Sequence, residues 1–316
     1  MQTEAVRNVY EKIIRNMESV VIGRRESIHL AVIALLAKGH ILLEDVPGSG
    51  KTLLAKSLAA SVGCIFKRIQ FTPDVLPSDI TGINYFNMKT SEFEFSQGPI
   101  FANIVLADEI NRATPKTQAG LLECMEERQV TIDTVTHRLA PPFMVIATQN
   151  PIDTQGVFPL PEAQLDRFTF KIPMQYTTHE DTVEILKTHQ KEQPSLEPVV
   201  SAEEIVAAQS IIPDIFVHHD MMGYIVSLTE ATRVHEGVML GVSARGALTL
   251  MRAAQTIAAI NSRNYVTPDD VKQAATPLMA HRLILRGSER IKKTAAEDIV
   301  ADIVNNTTVP TEFLLS

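Results

Sequence analysis

The run Asp45-Val46-Pro47-Gly48-Ser49-Gly50-Lys51-Thr52 constrains this chain more than any other feature. It follows the short apolar stretch Ile41-Leu42-Leu43 and leads into the helical pattern of Thr52 to Ser61. A glycine-rich turn between a buried strand and a helix is the setting of a phosphate-binding loop. Gly48 and Gly50 carry no Cβ to keep backbone N–H groups from wrapping an anion. A helix starting near Lys51 aims its free N–H groups and the positive end of its dipole at the same point. Lys51 adds a full positive charge for the β- and γ-phosphates, and the Thr52 hydroxyl is a small neutral oxygen suited to Mg²⁺. The pattern predicts ATP with Mg²⁺ held by Pro47, Gly48, Ser49, Gly50, Lys51, Thr52 and Leu53. One position departs from the usual motif: Asp45 stands where Gly is expected. The later glycines form the cradle, so binding should survive that change.

Around this loop the sequence alternates. Ile41-Leu42-Leu43, Ile65 to Phe71, Asn103 to Ala107, Pro142 to Thr148 and Phe168 to Ile172 read as short strands. Thr52 to Ser61 and Lys116 to Glu127 read as helices between them. Such alternation predicts a parallel sheet covered by helices on both faces. Two stretches break the rhythm. Gly82 to Phe101 and Gln129 to Leu139 each hold two short alternating runs, which predicts two inserted β-hairpins. Insertions on a rigid scaffold often carry function; surface decoration is the competing reading.

Beyond Pro173 the texture changes. Lys191-Glu192-Gln193-Pro194-Ser195-Leu196-Glu197-Pro198 is polar with two prolines and reads as a linker. Ser201, three residues before Glu204, predicts a capped helix start. Thr267-Pro268-Asp269-Asp270 predicts another, with acids in the first turn. Ser243 to Ile260 is rich in Ala and Leu, and Gly287 reads as a helix stop after Leu285 and Arg286. The 316 residues therefore divide into an α/β domain over 1–190 and a helical domain over 191–316.

The strand Ile104-Val105-Leu106-Ala107 ends on Asp108-Glu109. Ligands of open parallel sheets bind at that C-terminal edge. Asp108 is suited to hold Mg²⁺ through water. Glu109 is suited to orient or deprotonate an attacking water, and this second carboxylate favours hydrolysis over transfer to another acceptor.

Lys51-Thr52, Asp108-Glu109 and Ile110-Asn111-Arg112-Ala113 together resemble an AAA+ ATPase, and more closely the MoxR family. So do Ala147-Thr148-Gln149-Asn150-Pro151, the run Phe158 to Phe168, and His281-Arg282-Leu283. The motifs follow the family's order over essentially the whole chain. The resemblance implies an α/β fold: an AAA+ P-loop NTPase core with a parallel sheet, plus a C-terminal all-α lid domain. It also implies roles. Asn150 matches the sensor-1 position, where an amide holds the attacking water with Glu109. Arg167 matches the arginine finger, which reaches the γ-phosphate of a neighbouring subunit; pairing with Asp166 or Glu162 is the plainer alternative. Arg245 matches sensor 2. Val21-Ile22-Gly23 matches the segment that lines the adenine pocket. A finger acting in trans implies a homo-oligomer, a hexameric ring in the family. The two hairpins match insertions that face a pore or a client, with Tyr85 and Phe86 as the aromatics to watch. The implied task is chaperone-like, maturing or remodelling a client protein, often one with a von Willebrand factor A domain. A magnesium-chelatase-like metal-insertion subunit and a nucleic-acid motor or loader compete with it.

Charge weighs against the last of these. The formal net charge is −8, and coating nucleic acid needs clustered Lys and Arg. Cys64 and Cys124 are the two cysteines, far apart and without zinc spacing, so buried free thiols are expected. Met1 to Arg15 is polar and amphipathic, and no apolar run approaches the roughly 20 residues a membrane-spanning helix needs. A cytoplasmic protein without direct membrane insertion is expected. His235-Glu236 lacks the second His of a zinc protease, since Met239 stands there. His218-His219-Asp220 reads as a helix-start cluster rather than a metal site.

Overall fold

A computed structural model describes residues 2–45, 48–150, 156–174, 176–190, 196–287 and 295–310. Its strands in chain order are β1 (Ile41–Asp45), β2 (Phe66–Gln70), β3 (Gly82–Asn87), β4 (Glu92–Gln97), β5 (Ile104–Asp108), β6 (Gln129–Ile132), β7 (Val135–Arg138), β8 (Met144–Gln149) and β9 (Phe170–Met174). One sheet runs in the order β2-β5-β8-β1-β9, and its pairings β2–β5, β5–β8 and β8–β1 are parallel. Every residue of β5 is buried, as is Met144 to Thr148 of β8. These are the strands that read as continuous apolar runs, because both faces are covered. β2 stands at the sheet edge and keeps an alternating pattern, with Ile69 buried between exposed Arg68 and Gln70.

The chain leaves β1 for β2 at one edge, returns through β5 and β8, and then reaches β9 on the far side of β1. The order reverses beside β1, and that reversal opens a crevice at the carboxyl ends of the strands. The helices α1 (Gln2–Glu18), α2 (Arg25–Leu36), α3 (Lys51–Ser61), α4 (Pro77–Thr81), α5 (Pro115–Glu127), α6 (Glu162–Leu165) and α7 (His179–His189) accompany these strands. In α1 the buried residues Val6, Val9, Ile13, Ile14 and Met17 recur at helical spacing, which is why so polar a segment still docks. β9 begins two residues after the expected Phe168, because Phe168 N–H closes a turn onto Leu165 O at 3.1 Å.

Both expected hairpins are present, β3–β4 and β6–β7, each antiparallel. On β3–β4 the aromatics point outward: Tyr85, Phe86 and Phe93 are exposed, Phe93 at 75%. Phe86 and Phe93 meet edge to face at 5.4 Å, while Phe95 on the same side stacks on His137 of β7 at 4.4 Å.

By packing, the chain divides into two units: Glu11–Phe168 with Ile172–Val206, and residues up to Tyr10 with Thr169–Lys171 and Ala207 onward. Of the linker expected at 191–198, residues 191–195 lie outside the described ones. The stretch after it is tied to the sheet unit, where Val199 N–H donates to Ser61 O at 2.9 Å. The second unit contains α9 (His219–Val234), α10 (Ala244–Ile260), α11 (Pro268–Met279) and α12 (Ala296–Asn306), preceded by α8 (Ala202–Ile211). The capping signals act as read: Ser201 N–H donates to Glu204 at 2.7 Å, and Thr267 N–H to Asp270 at 2.8 Å. Small buried residues on α10 and α11, such as Ala253, Ala254, Ala274 and Ala275, let these helices pack closely.

One expectation is corrected here. Leu285 and Arg286 do not end a helix at Gly287. Ile284–Leu285 forms a strand, β11, against β10 (Val238–Leu240), and Arg286 N–H donates to Gly237 O at 2.9 Å. A two-residue strand has no period to read, so its pairing is decided by the partner strand.

Candidate functional site

β1 delivers the chain to the crevice at Asp45; Val46 and the expected contact Pro47 lie outside the described residues. Gly50 caps α3 in the left-handed region, at φ +89°, where an L side chain would be strained. Having no side chain, it supplies no side-chain cap to the first turn of α3, the end of a helix whose N–H groups favour an anion. Val21, Ile22, Gly48, Ser49, Gly50 and Leu53 wall a cleft of about 320 Å³. Tyr176, Thr177, Ile185 and Thr188, from α7 and the residues before it, complete the wall. Gly23 sits at φ +70°, and a Cβ there would lie 2.6 Å from the Asp181 carboxyl of α7.

At the end of β5 the Asp108 side chain is almost dry, 2% exposed, and held on both oxygens. Oδ1 accepts the Thr148 hydroxyl at 2.8 Å and faces Lys51 Nζ at 3.3 Å. Oδ2 accepts from Arg68 Nη2 at 2.6 Å and Nε at 3.1 Å. Burial by itself would raise the carboxyl's pKa; Thr148, Arg68 and Lys51 outweigh it and hold the group below the ordinary carboxylate range. The Thr148 hydroxyl also accepts the Glu109 backbone N–H at 2.8 Å. Glu109 lies in the left-handed region at φ +58°, an uncommon place for a residue with a side chain and one found at functional turns. Gln70 donates to its Oε2 at 2.8 Å, and Arg112 Nε lies 3.4 Å from the same oxygen.

Lys51, Asp108 and Glu109 are thus brought together, with Thr52 next to Lys51 on α3. Asn150 follows β8, and its carbonyl accepts from Asn111 Nδ2 at 3.4 Å. Arg167 Nη2 lies 3.1 Å from Glu126 Oε2 of α5. Arg245 lies in the helical unit, one residue into α10, whose N-cap Ser243 accepts from Gly246 N–H at 3.1 Å. Sequence reasoning passed over Thr148, Arg68, Gln70 and the α7 wall. Thr148 had a visible signal, a lone hydroxyl closing the apolar run Met144 to Ala147. Arg68 and Gln70 read only as part of an alternating strand.

The remaining candidates recede. His218 caps α9, its Nδ1 accepting from Asp220 N–H at 3.3 Å. Among the described residues no three His, Cys, Asp or Glu side chains converge on a metal position. Burial pushes the Cys64 thiol, which is only partly buried, up to about 11 and that of Cys124 up to about 12, so neither is a ready nucleophile. No helix among the described residues is long and apolar enough to cross a membrane.

Residues 40–170 match the family model "ATPase family associated with various cellular activities (AAA)", and residues 230–303 match "AAA lid domain". An uncharacterised Bacillus subtilis protein, YeaC, is 48% identical over 95% of this chain and 95% of its own length. Chaperone MoxR1 of Mycobacterium tuberculosis is 38% identical over 95% of this chain and 82% of its own. A crystal structure from Cytophaga hutchinsonii, provisionally described as an ATPase, superposes with a TM-score of 0.91 at 36% identity, covering 98% of this chain and 97% of that one. With core and lid matched in order and a MoxR chaperone aligned over 95% of this chain and 82% of its own length, the chain belongs to the MoxR family of AAA+ ATPases.

Proposed function

We propose that this chain hydrolyses ATP at the subunit boundaries of a homo-oligomeric ring and uses the resulting domain motion to remodel or mature a client protein. The observation that carries the reading is the 3.3 Å approach of the Lys51 ammonium to Asp108, with Glu109 next in the chain. Phosphates entering the cradle of Gly48, Ser49 and Gly50 draw Lys51 toward them. Thr52, and Asp108 through water, would hold Mg²⁺, which would neutralise charge on the phosphate oxygens. The donor set fits a cation, because Asp108 already faces Lys51 and Arg68 in a nearly dry position. Glu109 takes the attacking water, with Asn150 as its second anchor. Val21, Ile22, Gly23 and Leu53 take the adenine on the apolar side of the cleft. Arg167 serves the γ-phosphate of the neighbouring subunit, and Arg245 serves the phosphates from the helical domain. Loss of the γ-phosphate contacts then biases the balance between domain positions.

The chaperone name of the Mycobacterium tuberculosis relative supports a protein client. A von Willebrand factor A domain is the client class the family resemblance implies, and a cytoplasmic setting goes with it. Lys51→Ala should abolish nucleotide binding in calorimetry. Glu109→Gln should bind ATP and turn it over at least about 100-fold more slowly. Normal affinity in the first variant, or near wild-type turnover in the second, sinks the reading.

A further inference from the structure

We propose that Arg68 is a positioning residue for metal loading: a tethered cation that occupies Oδ2 of Asp108 and gives way when a divalent ion arrives. The inference rests on the nucleotide-binding reading of the same site.

A carboxylate offers about four acceptor positions on its two oxygens. Those of Asp108 are filled. Oδ1 serves Thr148 and Lys51, and Oδ2 serves Nη2 and Nε of Arg68 at 2.6 and 3.1 Å. A divalent ion, or one of its waters, reaches this carboxylate only by displacing a donor. Thr148 is fully buried, and its hydroxyl also holds the backbone of Glu109, so it stays. Lys51 turns to the phosphates but frees only Oδ1. Arg68 projects from the edge strand with its side chain 47% exposed, so it has solvent to swing into. Its departure uncovers Oδ2.

The register explains why Arg68 reaches this oxygen. Gln70 of β2 pairs with Asp108, and Arg68, two residues earlier, shares its face. Arg68 Nη2 also donates to Gln70 Oε1 at 2.7 Å, while Gln70 Nε2 donates to Glu109. One guanidinium therefore ties the metal-side carboxylate to the residue that orients the other. A lysine cannot reproduce this, because a point ammonium lacks the fork that meets Oδ2 twice and Gln70 once.

The test is binding of a fluorescent ADP to the full chain, read by anisotropy as Mg²⁺ is titrated, with no turnover involved. Arg68→Ala should lower the half-saturating Mg²⁺ about five- to tenfold, the scale of a partly exposed charge pair. Its affinity for the nucleotide in EDTA should stay within about twofold of wild type, since Arg68 competes with the metal and not with phosphate. Arg68→Lys should fall between, and it carries the comparison if Arg68→Ala does not fold. Lys67→Ala removes the same charge from the opposite face of β2 and should leave the Mg²⁺ requirement unchanged. An unchanged or raised requirement in Arg68→Ala, with nucleotide still bound, overturns the inference and leaves the site reading intact. An equal drop in Lys67→Ala also overturns it, because the effect is then the general field. A wild-type chain that binds no nucleotide at any Mg²⁺ overturns the site reading and this inference together.

Discussion

The Thr148 hydroxyl donates to Asp108 across 2.8 Å, with Thr148 fully buried and Asp108 1% exposed. Through its second contact, to the Glu109 N–H, this one side chain sets the placement of both acidic residues. Thr148→Val keeps the shape and deletes both bonds, leaving a desolvated carboxylate and a backbone donor short of a partner. The expected cost is about 1–3 kcal/mol of stability. Thr148→Ser should recover most of it. Urea midpoints at equal denaturant slope measure the difference, and a Val variant as stable as wild type would remove Thr148 from this role.

Arg167 is held at 3.1 Å by Glu126 of its own subunit, with both side chains partly exposed. A finger serving a neighbour has to leave that pair on assembly. Arg167→Ala and Glu109→Gln should each be nearly inactive as pure proteins. Mixed together they should regain turnover, because some boundaries then combine an intact Glu109 with an intact Arg167 from next door. Steady-state phosphate release across mixing ratios decides the matter, and absence of rescue at every ratio argues against action in trans.

His40 is a buried neutral histidine that bridges two elements of the core. Its Nδ1 accepts from Val145 N–H at 2.9 Å, so its Nε2 carries the proton toward Met125 O at 3.0 Å. Burial, with Arg128 nearby, lowers its pKa from 6.5 to about 3. The unfolded chain therefore binds a proton below pH 6.5 that the folded chain refuses, and stability falls as pH drops from 6.5 toward 3. The slope from this one group is about 1.4 kcal/mol per pH unit. Between pH 6.5 and 5, before carboxylates contribute, His40→Gln should flatten the curve even though it is less stable at pH 8. Parallel slopes for the two proteins would contradict this.

Gly23 combines a positive φ with no room for a side chain, since a Cβ would meet Asp181 at 2.6 Å. Gly23→Ala should cost roughly 1–2 kcal/mol from the left-handed backbone alone. It should also weaken nucleotide binding by pushing α7 away from the cleft that Val21 and Ile22 share with Thr177 and Ile185. Asp181→Ala in the same chain should restore part of the affinity, measured by the anisotropy assay. If the double variant binds no better than Gly23→Ala, crowding against α7 is not the cause.

Much of the core was legible because each signal was local. A four-residue apolar run covered on both faces, as at Ile104 to Ala107, has no other comfortable home than the middle of a parallel sheet. Ser201–Glu204 and Thr267–Asp270 announce helix starts because cap and partner lie three residues apart. Ile284–Leu285 was not legible, since two residues carry no period and their partner, Val238–Leu240, lies far away in sequence.

The same division runs through the site. The order of residues along the chain already determined the proposed phosphate loop, because strand, glycines, Lys51 and the helix start are contiguous and their chemistry needs no distant partner. It also determined the placing of Asp108 and Glu109 at a strand end. Only the tertiary structure decided what those groups touch. Arg68 meets Asp108 across 40 positions, Thr148 meets it across another 40, and Arg167 turns to Glu126. Such contacts depend on strand order and register, which put residues side by side that share no local pattern. The loop can therefore be read from eight consecutive letters, whereas the saturated carboxylate beside it exists only once β2, β5 and β8 lie next to one another.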